Sequence, residues 1–495
     1  MTSKLARKDN FEIVEKWLPA IGASGLAAAL LIRSWWRARR DPPRFTMGLP
    51  IFGPILQFLK DPMELIRKGH GKLGEIFRVN FMAIDMIYLV GSDAQKLFFT
   101  EDKSLDQAKM YQFTVPIFGP KVLYDVDHST RSYQLKFIRQ RLNNRYLRSY
   151  TGTLEEEVAA FFEECWPGAE GLVDIRPSME ELLTRTSIRC LMGKELRERM
   201  VEKKGGKSIV QLLHVLEKGM LPLSVFWPRA PIPRHRERDE ARRLIHQMIE
   251  PVLHARRAKA DKTEHDFMQS VLNSTYPDGR PITDEEIVGF LVAAFFGGMH
   301  NSSITTSWSA LEIFSRPDLV KELVDEQHEV LGSASANFTF EGFENMKKLR
   351  SAVSEVLRMH PPLFLLMRTV VEDLEFKQYR IRKGAVVATC PNVSCMLDEV
   401  YPHAKTFDAN RFIDGIGDEW SYIPFGGGMR ICKGLEFGYM QVMCAISYML
   451  RNYDVECMDG VTEPTIAKDG MVIAMSEPCR VRYKRRVPTS TRGGA

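Results

Sequence analysis

Phe425-Gly426-Gly427-Gly428-Met429-Arg430-Ile431-Cys432-Lys433-Gly434 is the stretch on which the reading of this 495-residue chain turns. A cysteine set among glycines can offer a thiolate to a metal ion. The glycines let the backbone pass close beneath a flat macrocycle where a side chain would collide. Arg430, two residues before the sulfur, can answer an anionic ring substituent with a charge-assisted hydrogen bond. Alone, a glycine-rich loop with one cysteine is more often an ordinary strand-to-helix turn. Here the spacing F-x-x-G-x-R-x-C-x-G is complete, and five agreeing positions argue against chance.

Working outward, the composition is that of a globular enzyme, 44% apolar and 26% charged. A net charge of +5, from 68 Lys and Arg against 63 Asp and Glu, is too mild to argue for nucleic acid. No basic run interleaves with aromatics along the body, so no nucleic-acid partner is expected. The eight cysteines show no C-x-x-C pair and no zinc spacing, which suits a reducing compartment. Residues 17–32 carry no charge and are followed by Trp35, Trp36, Arg37, Arg39 and Arg40. This uncharged run is shorter than the roughly 20 residues of a full crossing, but flanking aromatics and a snorkelling Arg33 extend it. Residues 1–40 are expected to be a single-pass signal anchor contacting membrane lipid, with the basic cluster keeping the body cytoplasmic. Residues 41–495 give no convincing internal linker and are read as one domain, mainly α with small β-sheets.

Two constellations inside that body carry chemistry. Thr283-Asp284-Glu285-Glu286 forms a capping box that opens a long apolar helix. Within the helix, Phe296-Gly297-Gly298-Met299-His300-Asn301-Ser302-Ser303 pairs two glycines, each costing about 1 kcal/mol against Ala, with a polar run. The glycines invite a local kink, with His300, Asn301 and Ser302 supplying polar groups there. A histidine on an apolar helix is usually a satisfied core or edge residue; the metal loop elsewhere favours a proton relay. Glu355 and Arg358 share one helix face at i, i+3, and Arg411 offers a second arginine upstream of Cys432.

The loop spacing resembles the cytochrome P450 signature, and further segments resemble the sterol 14α-demethylases of that family. These are Tyr111-Gln112-Phe113-Thr114-Val115-Pro116-Ile117-Phe118-Gly119-Pro120 with Val122-Leu123-Tyr124-Asp125, and Gly298-Met299-His300-Asn301-Ser302-Ser303 beside the family's G-Q-H-T-S-S. The likeness spans about residues 45–485, and Tyr111-Gln112-Phe113 with Ser421-Tyr422-Ile423 look most like the plant and algal branch. It implies a cytochrome P450 fold, a single haem-thiolate domain holding haem b through Cys432. Tyr111, Tyr124, Arg368, Arg430 and Phe425 would contact the haem, the first four at its propionates. Glu355, Arg358 and Arg411 would brace the core beneath it. Tyr111, Phe113, Phe118, Phe296 and Gly297 would line the sterol cavity, together with Leu363, Met367, Met471 and Val472. Each of these taken singly reads as core.

The implied activity is a monooxygenase that removes the 14α-methyl group of a sterol precursor in three oxidations, with release of formic acid. Family members with Phe at the Phe113 position tend to prefer sterols with one methyl at carbon 4, so an obtusifoliol-type substrate leads and lanosterol-type sterols follow. Dioxygen and NADPH–cytochrome P450 reductase would be the partners, at the endoplasmic reticulum membrane. Lys433 is a candidate docking charge for the reductase.

Three positions depart from the family pattern. Asn301 stands where the demethylases carry a threonine, Met299 replaces a glutamine, and Gly297 replaces an alanine. An amide cannot relay a proton as a hydroxyl does, so activity is expected to survive with altered coupling. A paralogue oxidising another sterol position such as a 4-methyl group, a haem-thiolate isomerase without need of dioxygen, and a sterol-binding membrane protein without turnover stay open as alternatives.

Overall fold

The computed structural model describes residues 40–47, 52–81, 84–199, 203–225, 227–258, 266–332, 336–459, 464–466, 473–475 and 478–486. The anchor expected at residues 1–40 lies, except for Arg40, outside the described residues.

The central helix, Asp284–Phe314, starts as its capping box dictates. The Thr283 hydroxyl accepts the Glu286 amide at 3.3 Å, and the Glu286 carboxylate accepts the Thr283 amide at 2.9 Å. From residue 302 to 314 every position is buried. Serines and threonines in this stretch turn their hydroxyls back onto helix carbonyls, Thr306 onto Ser302 and Ser307 onto Ser303 at 2.8 Å each, which lets polar side chains sit in the core. Among the described residues this is the helix long and apolar enough to cross a membrane; its neighbours in the fold explain that composition. It packs against Ile175–Ser187, Leu435–Asn452 and Lys347–Met359. The helix is continuous through Gly297 and Gly298.

Lys347–Met359 ends before Pro361 and Pro362 and buries the charged pair Glu355 and Arg358. Arg358 and Glu355 have no exposed side-chain surface and pair through two hydrogen bonds of 2.7 and 2.8 Å. Arg411 Nε lies 3.1 Å from both Glu355 oxygens, and Arg358 also donates to the Cys395 and Ala404 carbonyls. Each charge is met by several partners, the condition under which a buried ion pair is tolerated. Nearby, His360 Nε2 meets Glu312 Oε1 at 2.8 Å and stacks on Trp308, tying this helix end to the central helix.

The principal sheet orders its strands Ile76–Phe81, Ile84–Leu89, Val386–Thr389, Leu366–Val370 and Leu105–Asp106. All neighbours are antiparallel except the parallel pair Ile84–Leu89 and Val386–Thr389. After Leu366–Val370 the chain leaves this sheet, and Leu374–Phe376 pairs instead with Tyr379–Ile381. Pairing Arg368 with Val387 sets that arginine in the middle of a strand beside the cysteine loop's neighbours Phe98 and Phe99. Helices with small sheets at their edge are the result, as the periodicity indicates.

Candidate active site

The loop 425–434 is held by its own backbone. The Cys432 amide donates to the Phe425 carbonyl at 3.0 Å, and Gly426 donates to Ile423 at 3.0 Å. Gly426 and Gly428 take φ of 72° and 62°, a region glycine enters without strain. A Cβ at Gly428 would lie 2.4 Å from the Phe99 carbonyl oxygen, and one at Gly427 would lie 3.0 Å from its ring. These glycines therefore serve close approach to the helix Ser92–Thr100. Gly426 and Gly434 line the cavity, and a Cβ at Gly434 would make ordinary contact with the Cys432 sulfur at 3.9 Å.

Cys432 is exposed, but to an interior cavity of about 670 Å³ that it helps line. That size is usual for a small-molecule site. Because protein surrounds the sulfur, burial pushes its thiol pKa up, while the Gly434 amide and Lys433 act the other way. Lys433 itself donates to the Met429 carbonyl at 2.7 Å, and burial lowers its pKa, with Arg139 adding to the effect.

One end of the cavity is strongly cationic. Arg430 Nε lies 2.8 Å from Asp102 Oδ1, an ion pair without aligned hydrogen-bond geometry, and Arg430 Nη2 donates to the Leu105 carbonyl at 3.1 Å. Arg368 reaches the same Asp102 oxygen at 3.6 Å and donates to the Phe98 carbonyl. Burial, reinforced by Arg430, pushes the Arg368 guanidinium down to about 10. Two guanidiniums thus share one carboxylate. Arg131, on the same wall and paired with Asp106 at 3.4 Å, leaves Nη1 buried with no hydrogen-bond partner among the described residues, as does Arg430 Nη1. Tyr111 and Tyr124 stack at 5.1 Å beside them, and burial raises both phenols. Gln134 sets Tyr124 by accepting the Leu123 amide at 2.7 Å and donating to the Lys121 carbonyl at 2.9 Å. That clamp holds Lys121 and Leu123 at φ of 62° and 50°, which non-glycine residues rarely adopt.

The central helix forms another wall through Ala293, Ala294, Gly297, Asn301, Ser302 and Thr305, and Leu363 and Met367 close a third. Phe425 also lines the space. Phe113 is buried behind Tyr111, 5.9 Å from its ring, while Phe118 and Phe296 are half-buried beyond the lining. Met471 and Val472 lie outside the described residues. His300 points away from the cavity: its Nε2 stands 3.0 Å from Glu217 Oε1 on the helix Ile209–Lys218. Glu217 continues to His214 at 3.6 Å, and His214 to Glu180 at 3.5 Å. Burial raises the Glu217 carboxyl, but His214 and His300 outweigh it and hold it below the usual range. His214 is raised, chiefly by its bond to Glu217. Asp102, Arg131 and Glu217 escape sequence reading because isolated charges on helices and loops resemble a solvated face.

A family model described as Cytochrome P450 matches residues 42–482. The chain belongs to the cytochrome P450 family. A protein named sterol 14-demethylase from Arabidopsis thaliana is 35% identical over 93% of this chain and 96% of its own length. One named obtusifoliol 14-alpha demethylase from Triticum aestivum is 34% identical over 90% and 98%. These relatives set the chain in the sterol 14-demethylase branch. The solved structure of retinoic acid bound cyanobacterial CYP120A1 matches with a TM-score of 0.78 over 90% of this chain and 99% of that one, at 22% identity, a likeness of fold.

A cytochrome P450 carries haem on a cysteine thiolate, and the residues here fit that group. Cys432 and Gly434 provide a sulfur with clearance, and the partnerless nitrogens of Arg430 and Arg131 await anions of the kind propionates supply. Arg368, Tyr111 and Tyr124 complete that pole.

Proposed function

We propose that this protein removes the 14α-methyl group of a sterol precursor, an obtusifoliol-type sterol first and a lanosterol-type sterol second. The carbon passes through alcohol and aldehyde and leaves as formic acid, with a 14–15 double bond formed. Each oxidation consumes one dioxygen and two electrons from NADPH, delivered by NADPH–cytochrome P450 reductase. The observation that carries this reading is Cys432 opening into a cavity of about 670 Å³, in a chain 34–35% identical to proteins named as 14-demethylases. Haem bound to the Cys432 thiolate supplies the activation of dioxygen.

The chain's own residues do the rest. Arg368, Arg430, Tyr111 and Tyr124 bind the anionic edge of the cofactor and fix its orientation. Leu363, Met367 and the alanines of the central helix exclude water and give the sterol an apolar bed. Asn301 and Ser302 offer the polar groups at that bed; Asn301 holds water but does not pass a proton through itself as a hydroxyl would. His300 and His214 both stand beside the Glu217 carboxylate on the opposite side of the helix, away from the cavity lining. The preference for an obtusifoliol-type sterol is supported by Phe113 and by the similarity to the obtusifoliol 14-alpha demethylase of Triticum aestivum.

Residues 1–40 anchor the protein in the endoplasmic reticulum membrane by a single pass, and residues 41–495 form one catalytic domain on the cytoplasmic side. Lys433 is tied to its own loop, so reductase docking draws on other basic groups of that face as well. The test is incubation of the full chain with obtusifoliol or lanosterol, NADPH and reductase, with mass analysis of products. The 14-demethylated diene with formic acid is expected. A shifted reduced carbon-monoxide spectrum without any 14-demethylated product would overturn the assignment.

A further inference from the structure

Asn301 lies one helical turn after Gly297 on the cavity wall. A Cβ at Gly297 would have no neighbour within 4 Å, so a methyl-sized space stands open beside the amide. Three nearby hydroxyls are engaged: Ser303, Thr305 and Thr306 donate to the carbonyls of His300, Asn301 and Ser302 at 2.9, 2.8 and 2.8 Å, while the Ser302 hydroxyl shares the wall and has no hydrogen bond among the described residues. The Asn301 amide is not engaged either. Its Nδ2 has one contact of 3.5 Å to the Gly297 carbonyl, beyond the range of a well-formed bond, and Oδ1 accepts no hydrogen bond from the described residues.

We infer that Asn301 binds the oxygenated intermediates of this reaction, the 14α-hydroxymethyl and 14α-formyl sterols, with the space at Gly297 receiving their oxygen; this rests on the demethylase reading. A 14α-methyl group offers neither donor nor acceptor. A hydroxymethyl group offers both, and a formyl group offers an acceptor. A carboxamide carries two donors and an acceptor in fixed geometry and answers each in turn. In a cavity with apolar walls such a bond is stronger than in water. Parent sterol leaves the amide hydrated, whereas the intermediates replace that water and stay for the next oxidation. The substitution of an amide for a hydroxyl then acts on selection among three successive substrates.

The test is spectral titration of the haem-loaded full chain with matched sterols bearing 14α-methyl, 14α-hydroxymethyl or 14α-formyl groups, for wild type, Asn301→Leu and Gly297→Ala. Wild type should bind the hydroxymethyl sterol about five- to tenfold more tightly than the methyl sterol, the worth of one buried hydrogen bond. Asn301→Leu should bring that ratio to about one, keep affinity for the methyl sterol, and release more free alcohol and aldehyde during turnover. A ratio near one in wild type, or an undiminished ratio in Asn301→Leu, overturns the inference alone. Failure of wild type to bind the methyl sterol overturns the demethylase reading and this inference with it. Should Asn301→Leu not take up haem, Gly297→Ala decides: a reduced ratio supports the inference, and an unchanged ratio overturns it.

Discussion

The cysteine loop and the Gly297–Asn301 turn of the central helix face the same cavity, yet they are built on opposite terms. The loop is fixed by backbone: two positive φ values, two short amide–carbonyl bonds and a glycine pressed against the Phe99 carbonyl. Its side chains have little freedom to change. The helical turn is fixed by its unbroken hydrogen-bond ladder, which is indifferent to side chains, so glycine and asparagine stand there without disturbing the fold. Shape around the sulfur is therefore conserved by geometry, while chemistry on the opposite wall is open to substitution.

Substitutions can break or sharpen that contrast. Cys432→Ser removes the soft thiolate, and the reduced carbon-monoxide complex should lose its thiolate signature with activity abolished. In the brace beneath the site, Arg358→Ala leaves Glu355, which has no exposed surface, with Arg411 as its remaining guanidinium partner and removes the two carbonyl contacts of Arg358. A loss of about 3–5 kcal/mol is expected, read by thermal or denaturant unfolding. On the helical wall, Asn301→Thr should leave the melting temperature unchanged and reduce peroxide release per NADPH consumed; unchanged leakage would show that proton delivery does not depend on this position. The smallest effect belongs to the His214–Glu217 pair behind the wall. His214 is raised above 6.5 by Glu217, so the stability it adds is complete below that pH and fades as pH rises through the raised value. Glu180 reinforces the shift and Lys218 opposes it. His214→Gln should flatten the fall in melting temperature on the alkaline side, measured by calorimetry from pH 5 to 9.

The difference also explains what was legible. The Cys432 loop and the Glu355–Arg358 pair were readable because each depends on residues close in sequence, with glycine spacing and i, i+3 geometry as signals. The capping box at Thr283 was readable for the same reason. Gly297 and Gly298, two weak helix formers, stay within one continuous helix that packs against Ile175–Ser187 and Leu435–Asn452. His300 was expected at the reaction centre, but the helical repeat turns it from the cavity toward Glu217, a residue 83 positions earlier whose charge gives no local sign of a partner.

Sequence by itself pointed to a candidate ligand for iron, the fold and the branch of the family, since these rest on residue types at short, fixed spacings and on the resemblance those segments carry. Tertiary structure alone decided that Arg368 and Arg430 converge on Asp102, that Arg131 adds a third guanidinium to that pole, and that Gly297 leaves empty space beside an unengaged amide. The physical reason is range. Backbone conformation and helix periodicity act over a few residues and are written locally, whereas charge convergence and cavity shape arise from segments brought together only by folding.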